Sequence, residues 1–245
     1  NLIADDDTIC RDAIPAPLTG TVPSGGETGI VSPAYQWEVS LNSTSWAPVP
    51  GANQIGFSPS SLSDTMYYRR RVNTGKCIHY SEPVEIIVQS PISNNIIKNG
   101  ANDETCYETV LDLDGTVGIS EMTGGDTEDY FYEWQKSTNN VDWSPAPAVN
   151  NLENYSTEEL LLPAYFRRYV ISGACSSISG STYVSINPRP TAQILISDYL
   201  NECYDNRVGP VAVHVPFFAT GTAPYRIISY DGFDYDTLDN ITTAG

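Results

Sequence analysis

The chain has 245 residues, of which 30 are acidic and 12 are basic, giving a formal net charge of −18 at pH 7. This charge repels phosphate backbones and argues against nucleic acid as a partner. No apolar run reaches the roughly 18 residues that a membrane-spanning helix requires, so no membrane insertion is expected. The 16 Tyr, 18 Gly and 17 Pro favour strands and turns over helices.

Short alternating strands, separated by clusters of Gly, Pro, Asn and Ser, are predicted along the whole chain. The first part predicts strands at residues 35–41, in a stretch ending near 57, and at 66–72 and 83–88. The middle part predicts strands at 130–136, 164–171 and 182–186. The last part predicts a first strand in 192–197 and a later strand and turn in 221–232.

A repeat is the strongest signal in the sequence. Cysteines and tryptophans recur at spacings of 96 to 98 residues, in the pairs Cys10 and Cys106, Cys106 and Cys203, Cys77 and Cys175, Trp37 and Trp134, Trp46 and Trp143. The segment YYRRRV at 67–72 matches YFRRYV at 165–170. We therefore predict two equivalent modules, residues 1–89 and 90–188, and a third, truncated or divergent β-sandwich module in 189–245.

About seven short strands in ~97 residues, with a Trp on an early central strand, are typical of an immunoglobulin-like β-sandwich. The sequence thus predicts an all-β fold of tandem immunoglobulin-like modules, each with one disulfide. The predicted core residues are Trp37, Trp134, Tyr68, Phe166, Arg70 and Arg168. The two arginines share a strand face with apolar neighbours, so we expect partly buried side chains with guanidinium groups near the strand tryptophans or a carboxylate.

The cysteine spacing within each copy is 67 and 69 residues, which predicts the disulfides Cys10–Cys77 and Cys106–Cys175. Closing loops of this length contributes about 2–4 kcal/mol in the chain-entropy model. We expect each bond at an edge or end of its sandwich, because the second cysteine follows the Tyr-Arg-Arg strand. The mate of Cys203 would stand near ~270 by the same period, and the alternative is a free reactive thiol. Paired cysteines indicate an oxidising compartment outside the cytoplasm.

Residues 35–77, beginning YQWEVSLNSTSW, resemble the immunoglobulin-like repeats of giant surface proteins in Bacteroidota, particularly gliding-motility adhesins of the SprB type. Residues 132–175 show the same frame, and the resemblance covers about residues 10–188. It implies type IX secretion, display on the outer cell surface, and attachment or gliding motility. The implied partners are neighbouring modules of the same long chain, the secretion machinery, and surface polysaccharide or a substratum. The first residues lack signal-peptide features, so we expect a mature or internal piece of something longer.

Three Asp-Thr triplets resemble the O-glycosylation signal of those bacteria, which makes Thr8, Thr65 and Thr237 glycosylation candidates.

Catalytic and metal-binding residues have little support in the sequence. The two histidines, His79 and His214, lie in different modules without a nucleophile motif, so no catalytic residue and no enzyme activity are predicted. Asp231, Asp234 and Asp236 are weak calcium candidates in a pattern unlike the helix-loop-helix calcium loop. Solvated loop carboxylates are the favoured interpretation, and no cofactor is predicted.

Two functions remain open from the sequence. Repetition without a recognisable pocket favours a non-catalytic segment of a long cell-surface adhesin or filament. The alternative is a carbohydrate-binding or spacer module of a type IX-secreted hydrolase, in which sugars would stack on exposed aromatic rings such as Trp46 and Trp143. Because both tryptophans recur in register, we expect them to pack within the modules.

Overall fold

A computed structural model describes residues 1–3, 5–26, 33–97, 102–114, 121–126, 129–194, 217–221, 224–230 and 235–242. The regular secondary structure of these described residues consists of β-strands, which confirms the predicted all-β fold. No helix long and apolar enough to cross a membrane occurs in it.

The first module contains strands β1 to β6 in one sheet. Their bounds are β1 (Asp7–Cys10), β2 (Ala34–Ser40), β3 (Ala47–Pro48), β4 (Met66–Thr74), β5 (Cys77–Tyr80) and β6 (Val84–Ser93). The strand order is β1-β6-β4-β2-β3, with β5 paired to β4. Strand β1 runs parallel to β6, and the β4 pairings with β2, β5 and β6 are antiparallel.

The second module contains strands β7 to β15 and repeats this topology. Their bounds are β7 (Asn102–Cys106), β8 (Asp112–Leu113), β9 (Thr123–Gly125), β10 (Phe131–Ser137), β11 (Ser144–Pro145), β12 (Tyr155–Ser156), β13 (Ala164–Ser172), β14 (Cys175–Ile178) and β15 (Thr182–Asn187). The main sheet has the order β11-β10-β13-β15-β7, with β14 paired to β13, and β8 pairs with β12 opposite it. Strand β9 is the exception, because it joins β6 of the first module.

The last part of the chain contributes two antiparallel strand pairs. Strand β16 (Ala192–Ile194) pairs with β17 (Phe217–Ala219), and β18 (Tyr225–Tyr230) pairs with β19 (Tyr235–Ile241).

Each module is packed around its strand tryptophan. Trp37 and Trp134 are fully buried, and each indole N–H donates to a backbone carbonyl at 3.0 Å, of Gln54 and Leu152 respectively. This pairing satisfies the one polar atom of each buried ring.

Two further rings complete each aromatic cluster. Phe57 and Tyr68 lie beside Trp37 in the first module, whereas Tyr155 and Phe166 lie beside Trp134 in the second. The positions of the tyrosine and the phenylalanine are exchanged between the modules.

The ring of Tyr155 lies deep in the second module. Its burial raises the pKa of the phenol to about 12.

The predicted disulfide pairing is corrected by the structure. Cys10 is bonded to Cys175, 165 residues away, with 4.9 Å between the two Cα atoms. Cys77 and Cys106 carry free, exposed thiols. The bond therefore joins one module to the next and does not close a loop within either. Cys203 lies outside the described residues.

The reason for this pairing is the placement of the two cysteines at opposite ends of a module. Cys10 pairs with Gln89 of β6, three residues beyond Ile86, which pairs with the first residue of β4. Cys77 pairs with Thr74, the last residue of β4. Strand β4 has 9 residues and is about 26 Å long at the usual rise. A disulfide needs Cα atoms within about 7 Å, so the first cysteine of a module cannot reach the second cysteine of the same module.

Candidate functional site at the junction of two modules

A buried arginine lies at the centre of each module. The burial of β4 alternates, so that Tyr68, Arg70 and Val72 face the interior. The guanidinium of Arg70 donates to the backbone carbonyls of Ile55 at 2.6 Å and Thr21 at 2.7 Å. It also lies over the rings of Tyr35 and Trp37, with 5.1 and 5.9 Å to the ring centroids. Burial lowers the pKa of Arg70 by penalising the charged form.

Arg168 repeats this arrangement in the second module and is also fully buried. Its guanidinium donates to the carbonyl of Glu153 at 2.9 Å and lies over the rings of Tyr132 and Trp134, at 5.3 and 5.9 Å. Desolvation lowers the pKa of Arg168 as well. A buried cation held by carbonyl dipoles fixes the segments that supply those carbonyls, because an unpaired buried charge costs several kcal/mol.

An asparagine contacts the buried arginine of each module, Asn95 in the second and Asn1 in the first. The Arg168 Nε donates to the side-chain oxygen of Asn95 at 3.0 Å, and the Asn95 amide donates back to the Arg168 carbonyl at 3.3 Å. Asn1 makes the same contacts with Arg70, at 3.0 and 3.1 Å. Residues 89–95, which we call the link, join the two modules. The link is therefore anchored through Asn95 to the core of the second module.

Strand pairing continues across the junction. Strand β9 of the second module pairs with the end of β6, with Ser90 opposite Gly125 and Ser93 opposite Thr123. Gly124 has a φ of 90°, and a Cβ there would collide with the carbonyl of Pro91. Glycine is required because the link passes directly over its backbone.

Apolar packing and the disulfide complete the junction. Ile92 from the link is buried against Val170 and Cys175 of the second module. The Gln89 side chain accepts a hydrogen bond from the Ala174 amide at 2.7 Å, in the turn that presents Cys175. The two modules are thus held together by a covalent bond, a strand pairing and a shared small core.

Two contacts of the junction recur between the second module and the last part of the chain. The Thr220 amide donates to the Thr191 carbonyl at 2.8 Å, as expected from the Ser93 and Thr123 pairing one period earlier. The Tyr225 hydroxyl donates to the Gly221 carbonyl at 2.7 Å, as the Tyr130 hydroxyl does to the Gly124 carbonyl at 2.9 Å. This strand contact and this tyrosine contact are therefore repeated features of the chain.

The tryptophans considered for sugar stacking have one ring face covered by arginine. The Arg69 guanidinium lies 4.3 Å from the ring centroid of Trp46, and that of Arg167 lies 4.2 Å from Trp143. Arg69 is held in turn by Glu38, at 2.7 Å. Both tryptophans are half-buried, and this packing explains why they recur in register.

The other predicted sites are dispersed over the chain. Thr8 and Thr237 are exposed, whereas Thr65 is half-buried and its hydroxyl accepts a hydrogen bond from the Val88 amide at 3.0 Å.

The two histidines and the weak calcium candidates lie partly outside the described residues. His79 is exposed beside the turn of Cys77, and His214 lies outside the described residues. Asp231, Asp234 and the side chain of Asp236 are also outside them. Within the described ranges, no three His, Cys, Asp or Glu side chains are grouped as metal ligands.

Sequence reasoning missed the residues that build the junction. Asn1, Asn95 and Gln89 have no distinctive pattern in a single sequence. A usable signal was present in the Gly-Gly pairs at 25–26 and 124–125, each followed by an acidic residue and Thr. A glycine pair that recurs with the period marks a backbone position where another strand comes close.

Comparison with protein families gives one match. The family described as "Domain of unknown function (DUF8696)" matches the chain twice, at residues 1–90 and 97–190. The comparison with curated proteins found no match.

Three solved structures illustrate the matches found among known structures. Domains A168–A170 of titin have a TM-score of 0.42 at 13% identity, covering 74% of this chain and 63% of that one. Three N-terminal domains of the bacteriophage RB49 Hoc protein have a TM-score of 0.36 at 12% identity, covering 97% and 81%. The four N-terminal Ig domains of Dscam1 isoform 7.44 have a TM-score of 0.31 at 10% identity, covering 74% of this chain, which spans 43% of theirs.

Proposed function

We propose a mechanical function for this chain, which belongs to the family described as "Domain of unknown function (DUF8696)". The chain serves as a stiff, non-catalytic, load-bearing segment of an extracellular adhesin-type protein. The observation that carries this proposal is the Cys10–Cys175 bond, which spans both modules.

The bond determines the path of a pulling force. Tension that enters before Cys10 crosses directly to Cys175 and leaves through the last part of the chain, so the residues between them bear no load. An unprotected β-sandwich under tension can unfold and lengthen, whereas a bridged pair keeps its length as long as the disulfide holds. Such a segment suits a structure that must keep a binding tip at a constant distance from a cell.

The junction contributes stiffness in addition to strength. The link is paired with β9, anchored through Asn95 and packed through Ile92, so the second module has a fixed orientation relative to the first. A flexible tether would instead have a polar link free of such contacts.

The location and the biological process belong to the same proposal. The disulfide favours an extracellular position, because such bonds persist in oxidising compartments. The resemblance of residues 35–77 to gliding-motility adhesins supports export by type IX secretion, display on the outer surface, and a role in attachment or gliding. Neighbouring modules and a surface polysaccharide or substratum are the partners that this proposal implies.

Attachment of cells under flow tests the proposal. Cells that display the protein are compared with cells carrying Cys10→Ser together with Cys175→Ser, and Ser176→Ala, at the exposed position next to Cys175, is the matched control. We expect the double variant to detach at lower shear while static attachment and surface labelling by antibody stay unchanged. Equal detachment of the double variant and the control would count against a load-bearing role.

A further inference from the structure

We propose that Cys77 and the groove beside it form a docking site for another module of the same kind. The incoming module places its link in the groove and forms a disulfide between its first cysteine and Cys77. The inference concerns a binding surface, and it holds whether or not the chain acts in attachment.

The turn that presents Cys77 has the same geometry as the turn that presents Cys175. Cys77 pairs with Thr74 as Cys175 pairs with Ser172, each at the last residue of the long central strand. The glycines of the two turns, Gly75 and Gly173, both have positive φ, at 81° and 56°. Cys175 is bonded to the preceding module, whereas Cys77 is exposed and free.

The groove beside Cys77 has a volume of about 340 Å³ and is lined by Pro23–Gly26, Val72, Thr74 and residues 77–79. Its counterpart in the second module is covered by the link, where Ile92 is buried against Val170 and Cys175. Val72 and Cys77 occupy the equivalent positions in the first module, one period earlier. The apolar floor that receives Ile92 is therefore repeated beside Cys77.

The glycine pairs identify what passes over this groove. A Cβ at Gly124 would collide with the Pro91 carbonyl of the link, whereas a Cβ at Gly25 would meet no atom of the described residues within 4 Å. Both glycines have positive φ, at 90° and 81°. Gly25 thus has the conformation and clearance that an approaching link requires.

Asn1 gives the direction from which the link comes. Its contacts with Arg70 match those of Asn95 with Arg168, so it holds the position of the last link residue. Asn1 also lines the groove. We call Cys10 and its equivalents in other modules first-type cysteines, and Cys77 and Cys175 second-type cysteines. A link equivalent to residues 89–94, followed by this asparagine, would run through the groove and bring the first-type cysteine of the incoming module to Cys77.

The second module offers the complementary half of such a contact. Cys106 lies beside Asn187 as Cys10 lies beside Gln89, on parallel strands at the same register. The Tyr107 amide donates to the Asn187 carbonyl at 2.9 Å, as the Arg11 amide does to the Gln89 carbonyl at 2.9 Å. Cys106 is therefore presented as a first-type cysteine for a second-type cysteine of a following module.

The bond forms by thiol–disulfide exchange with a low-molecular-weight disulfide such as oxidised glutathione. The Cys77 thiolate attacks one glutathione sulfur and releases one glutathione thiolate. The thiolate of the incoming cysteine then attacks the Cys77 sulfur of the mixed disulfide and releases the second. Two protein thiols are oxidised to one disulfide, and the reagent is reduced to two thiols.

A lengthened chain tests the proposal. Residues 1–94 are added in front of the full chain, so that Asn94 of the added copy is followed by Asn1 as it is naturally followed by Asn95. After exposure to oxidised glutathione, free thiols are labelled with N-ethylmaleimide and the disulfides are mapped without reduction. We expect the added Cys10 to be bonded to Cys77 of the original first module, which loses its labelling completely.

Two controls separate docking from accidental oxidation. In the unlengthened chain Cys77 must carry N-ethylmaleimide or glutathione and no protein partner, with the Cys10–Cys175 bond intact. In the lengthened chain, Gly25→Ala in the original first module should leave the original Cys77 with N-ethylmaleimide or glutathione instead of a protein partner, since the Cβ would then meet the link. A bond from the added Cys10 to Cys77 of its own copy would overturn the proposal. So would an original Cys77 found only with N-ethylmaleimide or glutathione, whether or not the Cys10–Cys175 bond of the original modules is present.

Discussion

Pulling on single molecules from the two ends gives the sharpest mechanical prediction. With the Cys10–Cys175 bond intact, the residues between the two cysteines cannot be extended, because the force crosses the disulfide. Replacing both residues, as in Cys10→Ser with Cys175→Ser, removes this bypass. The variant should show unfolding steps of both modules that the oxidised chain lacks.

The size of the effect follows from the loop length. The two cysteines are 165 residues apart, and at about 3.3–3.6 Å per residue the released contour length is roughly 540–590 Å. The chain-entropy model assigns about 5 kcal/mol of stabilisation to closing a loop of this length. Loss of the bond should therefore lower the unfolding midpoint as well as lengthen the extended chain.

Optical tweezers with handles at residues 1 and 245 measure this length directly. The matched control is Cys77→Ser, which removes a free and exposed thiol. It should extend like the unaltered oxidised chain. If the unaltered chain extended by the full length without reductant, the force-bypass reasoning would be refuted.

Three further predictions concern individual residues. Gly124→Ala should destabilise the chain by about 1–3 kcal/mol more than Gly25→Ala in denaturant unfolding, because only its Cβ meets the Pro91 carbonyl; equal losses would contradict this contact. Tyr155, whose pKa is raised to about 12, should keep its proton above pH 10, where the unfolded chain loses it. Stability should therefore fall between pH 10 and 12, and an ultraviolet titration should show a phenolate that forms near pH 12 and is missing in Tyr155→Phe. Burial also raises the pKa of Asp103, one of whose carboxylate oxygens is buried with no hydrogen-bond partner among the described residues. The folded state then holds a proton that the unfolded chain has lost, so stability falls as pH rises through the pKa of the folded state. Asp103→Asn should raise the thermal midpoint at pH 7 but lose this advantage under acidic conditions; an unchanged difference at both pH values would argue against this assignment.

Much of the fold was readable from the sequence because local patterns determine it. The period of tryptophans and cysteines, together with alternation in YYRRRV, indicated all-β modules with a partly buried arginine on the central strand, which the structure shows to be fully buried. Arg70 and Trp37 lie opposite each other on β4 and β2, as do Arg168 and Trp134 on the equivalent strands. Such patterns require only a strand period of two residues and a repeated unit.

The disulfide pairing was not readable because a repeat period does not say which copy supplies the partner. Cys10 is compatible by spacing with Cys77 in its own module and with Cys175 in the next. Only the strand register shows that the first and second cysteines stand at opposite ends of a module. The contacts of Asn95 and Gln89 depend on the same three-dimensional arrangement, so the junction could not be identified before the structure.

Mass-spectrometric mapping of disulfides in the unreduced, folded chain tests the central claim most directly. Alkylation of free thiols before proteolysis prevents exchange during handling. The structure predicts one cross-linked peptide pair containing Cys10 and Cys175, with alkylated Cys77 and Cys106. Peptide pairs joining Cys10 to Cys77 and Cys106 to Cys175 would contradict it, because each module would then be closed on itself and the force bypass would not exist.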